Sequence, residues 1–380
     1  MGPLAGMKII ELAGIGPGPM CAMLLSDLGA NVLRIDRKEP SDLGYKRPLK
    51  FDLTLRGRKS VALDLKSPDA VNLVLRLVSE ADALIEGFRP GVTERLGLGP
   101  DACFKRNPKL VYGRMTGWGQ TGPLAMAAGH DVNYIAITGV LNAIGRHRQA
   151  PAVPINIIGD MAGGSMYLAL GILAAVIEAR TSGKGQVVDA AIVDGAASLA
   201  TSLFVMRAAG MLSNERGTNV LDSGAHFYDV YECADGKYIS VGAVEKKFYD
   251  QLLEGLGINP LDIGPHMDQE NWAKGHSILS KKFRTRTRSE WCELLKRFDA
   301  CVAPVMSWDE AANHPHLKAR ATLVDIDGVI QPAPAPRFSR TIPELPVPPA
   351  PLSPENTNAA LAGWLSSADI DSLRAVGTIR

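Results

Sequence analysis

Lys8-Ile9-Ile10-Glu11-Leu12-Ala13-Gly14-Ile15-Gly16-Pro17-Gly18-Pro19, running through Met20 to Gly29 into Asn31-Val32-Leu33-Arg34-Ile35, is the stretch that decides the fold. Lys8 to Ala13 reads as a buried strand and Gly14 to Pro19 as a tight loop. Met20 to Leu28 reads as a helix stopped by Gly29, and Asn31 to Ile35 as a second strand. A glycine just past a helix is a normal C-terminal stop, so this is a βαβ unit. Further strands are expected at Ser60 to Leu63, Ala83 to Glu86 and Leu110 to Met115, with a helix over Asp69 to Ser79. Met161 to Arg180 is the longest helix pattern, closed by Ser182-Gly183-Lys184-Gly185, and Gln186 to Ile192 resumes as strand. Strands alternating with helices predict an α/β fold with a mostly parallel sheet covered on both faces.

The pattern changes near residue 215. Tyr228 to Val241 reads as a hairpin turning at Ala234-Asp235-Gly236, because Asp-Gly favours such turns. Helices are expected at Lys246 to Gly255, Asn271 to Phe283, Ser289 to Phe298 and Ser307 to Asn313. This predicts a smaller α+β domain over 225–328, after a large domain over 1–200 and a linker over 201–224. Residues 329–354 form a proline-rich linker, with Gln331 to Pro354 as an extended strap, because proline fixes φ and removes a ladder donor. Helical patterns return over Asn356 to Leu365 and Ala368 to Ala375, and 355–380 is assigned back to the large domain. No internal repeat is present.

A chain of 380 residues, 46% hydrophobic, can bury a substantial core in more than one domain. Its net charge of +1 points to neither nucleic acid nor an anionic membrane as partner. Five scattered cysteines without a C-x-x-C pair suggest neither a disulfide frame nor a zinc site, and reduced thiols fit a cytoplasmic setting. No basic segment leads an apolar signal core, and the most apolar run, Met166 to Ile177, is shorter than the roughly 18 residues of a membrane span.

Gly14-Ile15-Gly16 after a first strand, with Asp36 ending the second, invites a nicotinamide-dinucleotide reading. The third glycine of that pattern is replaced by Pro19, so the reading fails. Ser182-Gly183-Lys184-Gly185 is not a phosphate loop, since Glu178 occupies the first glycine position and the lysine is followed by glycine. Arg284, Arg286 and Arg288 alternate with threonine and read as a solvated face, whereas Arg37 and Arg89, at strand ends, are better placed to meet phosphates.

His130, in Ala128-Gly129-His130-Asp131-Val132-Asn133-Tyr134, is either a member of a polar network or a proton carrier. Asp160, in Gly159-Asp160-Met161-Ala162-Gly163-Gly164, reads as the cap of a helix starting at Met161, a role compatible with catalysis. The N–H groups at such a helix start could receive a developing negative oxygen. Glu245, between strand and helix, also reads first as a cap. A histidine and an aspartate facing one carbon would suit proton removal on one side and return on the other.

Several longer runs resemble α-methylacyl-CoA racemases, within the family III CoA-transferase superfamily. They are Glu11 to Pro19, Asp27-Leu28-Gly29-Ala30 with Arg34-Ile35-Asp36-Arg37, Glu86-Gly87-Phe88-Arg89-Pro90-Gly91-Val92, Met115-Thr116-Gly117-Trp118-Gly119-Gln120-Thr121-Gly122-Pro123, and Gly183 to Ala190. The resemblance implies a Rossmann-like large domain and an interlocked homodimer, with active sites between the large domain of one chain and the small domain of the other. It implies an acyl-CoA thioester substrate and no cofactor, coenzyme A being part of the substrate, and no metal. His130 and Asp160 would carry the proton on opposite faces, with Glu245 holding His130. Arg37 would meet the CoA phosphates. Leu63, Asp64, Leu65 and Lys66 with Gly87, Phe88 and Arg89 would line its adenine side, with Arg95 adding charge. Gly129, Asp131, Asn133 and Tyr134 would hold the pantetheine end. Met115, Met161, Met166, Met206 and Met211 would offer the acyl chain a soft apolar surface or pack as ordinary core.

Two alternatives stay open. In the superfamily's transferases the residue equivalent to Asp160 is a nucleophile, protected by a late glycine-rich loop; this chain has Val241-Gly242-Ala243-Val244-Glu245 there instead. A non-catalytic acyl-CoA-binding protein would lack the His130, Asp160 and Glu245 set. The chain departs from the racemase pattern Leu-Asp-Gly-Gly-Ala-Pro at Leu221-Asp222-Ser223-Gly224-Ala225-His226, which bears on acyl specificity.

Overall fold

Six strands, β1 (Lys8–Leu12), β2 (Asn31–Arg37), β3 (Lys59–Leu63), β4 (Ala83–Glu86), β5 (Val111–Thr116) and β6 (Gln186–Ala191), form one all-parallel sheet in the order β3-β2-β1-β4-β5-β6. This computed structural model describes residues 1–39 and 44–379; Pro40 to Leu43 and Arg380, assigned above to the large domain, lie outside the described residues. The order is that of doubly wound dinucleotide-type sheets, in which the strand sequence reverses between β1 and β4 and ligands bind beyond the carboxyl ends.

Alternation along β1 explains why both faces are covered. Ile10 and Leu12 join Leu33, Ile35, Val61, Leu73 and Leu77 on one face. Ile9 joins Leu25, Val32, Leu168 and Ile172 on the other. The helix Pro68–Val78 starts with proline at its first position and buries Ala70, Leu73, Val74, Leu77 and Val78, one stripe at helical spacing. The tail helices Pro354–Leu361 and Ser367–Ala375 add Ala360, Leu361 and Ile370 to the first face. Glu11, on β1, is fully buried and paired with Arg34 and Arg58, while Arg34 also pairs with Asp36 at 2.9 Å. Asp36, near the end of β2, is thus an ion-pair partner of Arg34.

The helix expected from Met161 starts earlier and is not regular. Wide, π-type turns run over Ile157–Met166 and pass into an α-helix over Tyr167–Ser182. The continuous run Ile157–Ser182 has 26 residues and a mean hydropathy of 1.6, so by length and composition it could cross a membrane, contrary to the shorter apolar run read from the sequence. Its inner side, Leu168, Ile172, Ala175, Val176 and Ala179, is buried and joins the second face of the sheet.

The chain divides into two compact units, one of 1–138, 155–199 and 321–380 and the other of 139–154 and 200–320. Residues 139–154, expected in the large domain, therefore fall in the second unit, and 321–328 in the first. The second unit carries an antiparallel sheet of β7 (Tyr228–Glu232), β8 (Tyr238–Gly242) and β9 (Val302–Pro304), the last too short to be read from sequence. Its core gathers Phe227, Leu252, Leu279, Phe283 and Trp291 from the hairpin and the helices Lys246–Leu256, Trp272–Phe283 and Arg288–Leu295. The expected linker 201–224 holds a helix, Thr201–Ala208, and a loop tied by Asp222, which accepts from the N–H groups of Gly217 and Asn219. A second hairpin, β10 (Leu323–Ile326) with β11 (Val329–Pro332), precedes the strap. Arg288 is not solvated: it is buried and paired with Glu310 at 2.6 Å.

Candidate active site

His130 occupies the N-cap of the helix Asp131–Ile137, downstream of the carboxyl end of β5. Its side chain is exposed while its backbone is fixed from several sides. The His130 N–H donates to Asn133 Oδ1 at 3.0 Å, and the His130 carbonyl accepts from the N–H groups of Asn133 and Tyr134 at 2.8 and 3.2 Å. The Tyr134 hydroxyl donates to the Gly129 carbonyl. The Tyr134 ring meets Trp118 edge-on, with centroids 4.7 Å apart. A Cβ on residue 129 would lie 2.7 Å from that tyrosine ring, so the glycine before His130 is a packing requirement.

Asp160 is the fourth residue of the π-type segment, whose N-cap is Asn156. It is therefore not the cap expected of a helix beginning at Met161. Its half-buried carboxylate accepts from Asn156 Nδ2 at 3.3 Å, and a Cβ on Gly16, in the turn after β1, would lie 3.7 Å from Oδ2. The irregular turns coincide with a close approach between distant segments. A Cβ on Gly163 would lie 2.8 Å from the Ala196 N, so this segment and the helix Ile192–Leu199 approach backbone to backbone. The glycine density of Gly159-Asp160-Met161-Ala162-Gly163-Gly164 was the available signal for such an interruption, and π-type turns are frequent at functional sites.

Burial holds the Asp160 carboxyl above the ordinary carboxylate range; the Asn156 hydrogen bond opposes this, the Asp131 charge adds to it, and His130 opposes it. His130 and Asp160 lie in the same unit, and the His130 charge acts on Asp160. Asp131 is buried, and its Oδ1 accepts the Asp160 N–H at 2.6 Å. That N–H, the sequence candidate for receiving a substrate oxygen, is already engaged. The N–H groups of Asp131 and Val132 begin their helix and have no intrahelical acceptor.

The expected CoA contacts separate into two groups. Arg37 ends β2, Lys66 follows β3, and Arg89 and Arg95 follow β4; all four are exposed, and no described carboxylate forms an ion pair with them. Arg89 acts electrostatically on Tyr134, whose phenol burial pushes upward, with Asp160 adding to that rise and Arg89 opposing it. This joins the cation set to the His130 loop. Gly87 is exposed and Phe88 and Leu65 are half-buried, while Asp64 Oδ1 accepts the Lys66 N–H at 3.0 Å. Leu63, by contrast, is buried in the core, and its side chain cannot line a ligand surface. Asp131 is likewise buried and engaged internally, whereas Asn133 is exposed, with Oδ1 accepting the His130 N–H.

Glu245 lies in the second unit at the N-cap of Lys246–Leu256, exposed, with its carboxylate making no cap bond. Of the methionines, Met115 is buried in the core, and Met166 and Met211 are exposed. Among the described residues no group of three or more His, Cys, Asp or Glu is arranged to hold a metal.

The family model of CoA-transferase family III matches residues 4–357. An α-methylacyl-CoA racemase of Mus musculus is 41% identical over 339 residues, covering 89% of this chain and 87% of the mouse protein. The α-methylacyl-CoA racemase of Homo sapiens is 40% identical over 343 residues, with the same coverage of 89% and 87%. The crystal structure of a CAIB/BAIF family protein from Brucella suis superposes with a TM-score of 0.81 at 26% identity, covering 97% of this chain and 100% of that one.

Proposed function

The chain belongs to CoA-transferase family III, and on that premise we propose that it is a racemase of 2-methylacyl-CoA thioesters, acting by α-proton abstraction and return. The observation that carries the reading is the pairing of an exposed His130 with a half-buried Asp160 whose carboxyl is biased toward its protonated form. A base on one face needs an acid on the other, and a carboxyl whose protonation burial favours suits the second role.

The α-hydrogen of a thioester is weakly acidic, so abstraction requires an enolate to be stabilised. Removing one well-aimed donor typically costs about 3 kcal/mol of transition-state stabilisation. The N–H groups at the start of Asp131–Ile137 are the proposed donors. His130 takes or returns the proton on one face and Asp160 on the other. Glu245 is the proposed carboxylate partner of His130. Arg37, Lys66, Arg89 and Arg95 supply positive charge for the phosphates of CoA at the carboxyl ends of β2 to β4.

The proposal includes an interlocked homodimer. Met166, Leu170 and Ile177 lie at 60, 64 and 67% exposure and share one face of a helix whose opposite face packs on the sheet. A second copy of the chain is the proposed cover for that stripe. Cytoplasmic placement is proposed with it, in keeping with five free cysteines.

A single enantiomer of a 2-methylacyl-CoA, incubated with the protein in D2O and followed by NMR, tests the reading. Deuterium entering C2 with loss of optical purity is the expected result. No exchange, with thioester transfer to an added carboxylic acid, would instead make Asp160 a nucleophile and the protein a transferase.

A further inference from the structure

We infer that Asp131 is a positioning residue for racemisation: its buried carboxylate, one residue after His130, grips the backbone of Asp160 and fixes the spacing of the two proton carriers. The inference rests on the racemase reading above.

Asp131 is the first residue of the helix that His130 caps, so its Cα moves with the His130 backbone. Its side chain reaches the other element of the site, where Oδ1 accepts the Asp160 N–H at 2.6 Å and the carboxylate also takes the Gly159 N–H. Residue 159 must be glycine for this approach, because any Cβ there would run into the Asp131 carboxylate. One side chain thereby joins the backbones that carry the histidine and the aspartate. The other oxygen, Oδ2, is buried without a hydrogen-bond partner among the described residues. A buried acceptor left unpaired is unfavourable for folding, and such groups persist where a function requires them.

The charge of Asp131 also acts on Asp160, second to burial in the same direction, against the Asn156 hydrogen bond and His130. Tyr134, from the same helix as Asp131, is the other titratable neighbour coupled to Asp160. The remaining elements packed on the π-type segment add little: Asp194 is exposed, Asp27 is paired with Arg56, Arg114 with Glu86, and Asp189 accepts from the Gln120 N–H. Removing the Asp131 charge therefore favours the ionised form of Asp160.

The full-length protein and its D131N and D131A variants are assayed with one enantiomer of a 2-methylacyl-CoA across pH, with C2 exchange followed in D2O. Exchange by the unaltered protein is required first, and its absence would overturn the racemase reading separately. Given exchange, D131N should move the acid limb of the kcat/KM profile to lower pH. D131A should lower kcat about 100-fold, as misplacement of a catalytic group by about 1 Å can do. KM should stay within about threefold, since binding of CoA is not the affected step. A D131N profile superimposable on that of the unaltered protein would overturn the inference. So would a D131A variant with raised KM and unchanged kcat, which would make Asp131 a binding residue. If D131A melts at assay temperature, the D131N profile alone decides.

Discussion

The backbone N–H of Asp160 donates to Asp131 Oδ1 at 2.6 Å, so the placement of Asp160 depends on its main chain and not on its own carboxylate. Among the described residues its carboxylate has one hydrogen bond, from Asn156 at 3.3 Å. Asp160→Asn should therefore fold and bind CoA thioesters, yet lose racemisation by about 10²- to 10⁴-fold, the usual worth of a positioned acid or base. Near-full turnover with an unchanged melting temperature would take Asp160 out of the chemistry.

His130 presents an exposed ring on a fixed backbone, so trimming the ring leaves the loop intact. His130→Ala should suppress C2 exchange from one enantiomer far more than from the other, while acyl-CoA affinity measured by calorimetry stays near that of the unaltered protein. Equal exchange from both enantiomers would remove His130 from the mechanism.

Ser223 holds a left-handed φ of 73°, where the racemase pattern carries glycine. A side chain in that region costs about 1 kcal/mol, so Ser223→Gly should raise stability by about that much in a denaturant titration. The neighbouring glycine behaves oppositely. A Cβ on Gly224 would lie 2.5 Å from the Asn219 carbonyl oxygen, and Gly224→Ala should cost about 1–3 kcal/mol. A destabilised Ser223→Gly would show that the serine side chain has a role of its own.

His226 stands where the racemase pattern has proline, and it is fully buried, with Nε2 2.8 Å from the Tyr249 hydroxyl. Burial, aided by the charges His276 and His266 would carry, pushes its imidazole down to about 4 from 6.5. The unfolded chain then binds more protons than the folded one between those values. This contribution is complete above about pH 6.5 and is lost as pH falls through about 4, on the order of 3 kcal/mol. Thermal melts of the unaltered protein should fall over that window and those of His226→Gln should fall less. Parallel curves would count against the buried neutral form.

Leu170, 64% exposed on the long helix, lies at the middle of the apolar stripe with Met166 and Ile177. Light scattering should give the mass of a dimer, and Leu170→Glu should shift it toward monomer. A monomer for the unaltered chain would leave the stripe without its proposed cover.

Much of the sheet was legible because parallel strands buried on both faces are short continuous apolar runs. Ile9-Ile10, Val32-Leu33 and Ala83-Leu84-Ile85, within β1, β2 and β4, are runs of that kind. The turn at Asp235-Gly236 and the helix start at Ser307 were legible in the same local way. Val302–Pro304 and Leu323–Ile326 were not, being three and four residues long and paired with distant or similarly short segments. Arg288 looked solvated because its partner, Glu310, lies a helix and a strand away in sequence.

Sequence alone determined that strands and helices alternate, and it offered His130 and Asp160 as candidate proton carriers. Local chemistry sets both: periodicity writes the elements, and side-chain type limits the acids and bases. Tertiary structure decided where those groups stand. The contact of Gly163 with Ala196 accompanies the wide turns that place Asp160 within a helix rather than at its cap. The reach of Asp131 then engages the N–H that a local reading left open to substrate. Both depend on packing between segments far apart in the chain, and no local pattern encodes the distance at which two backbones meet.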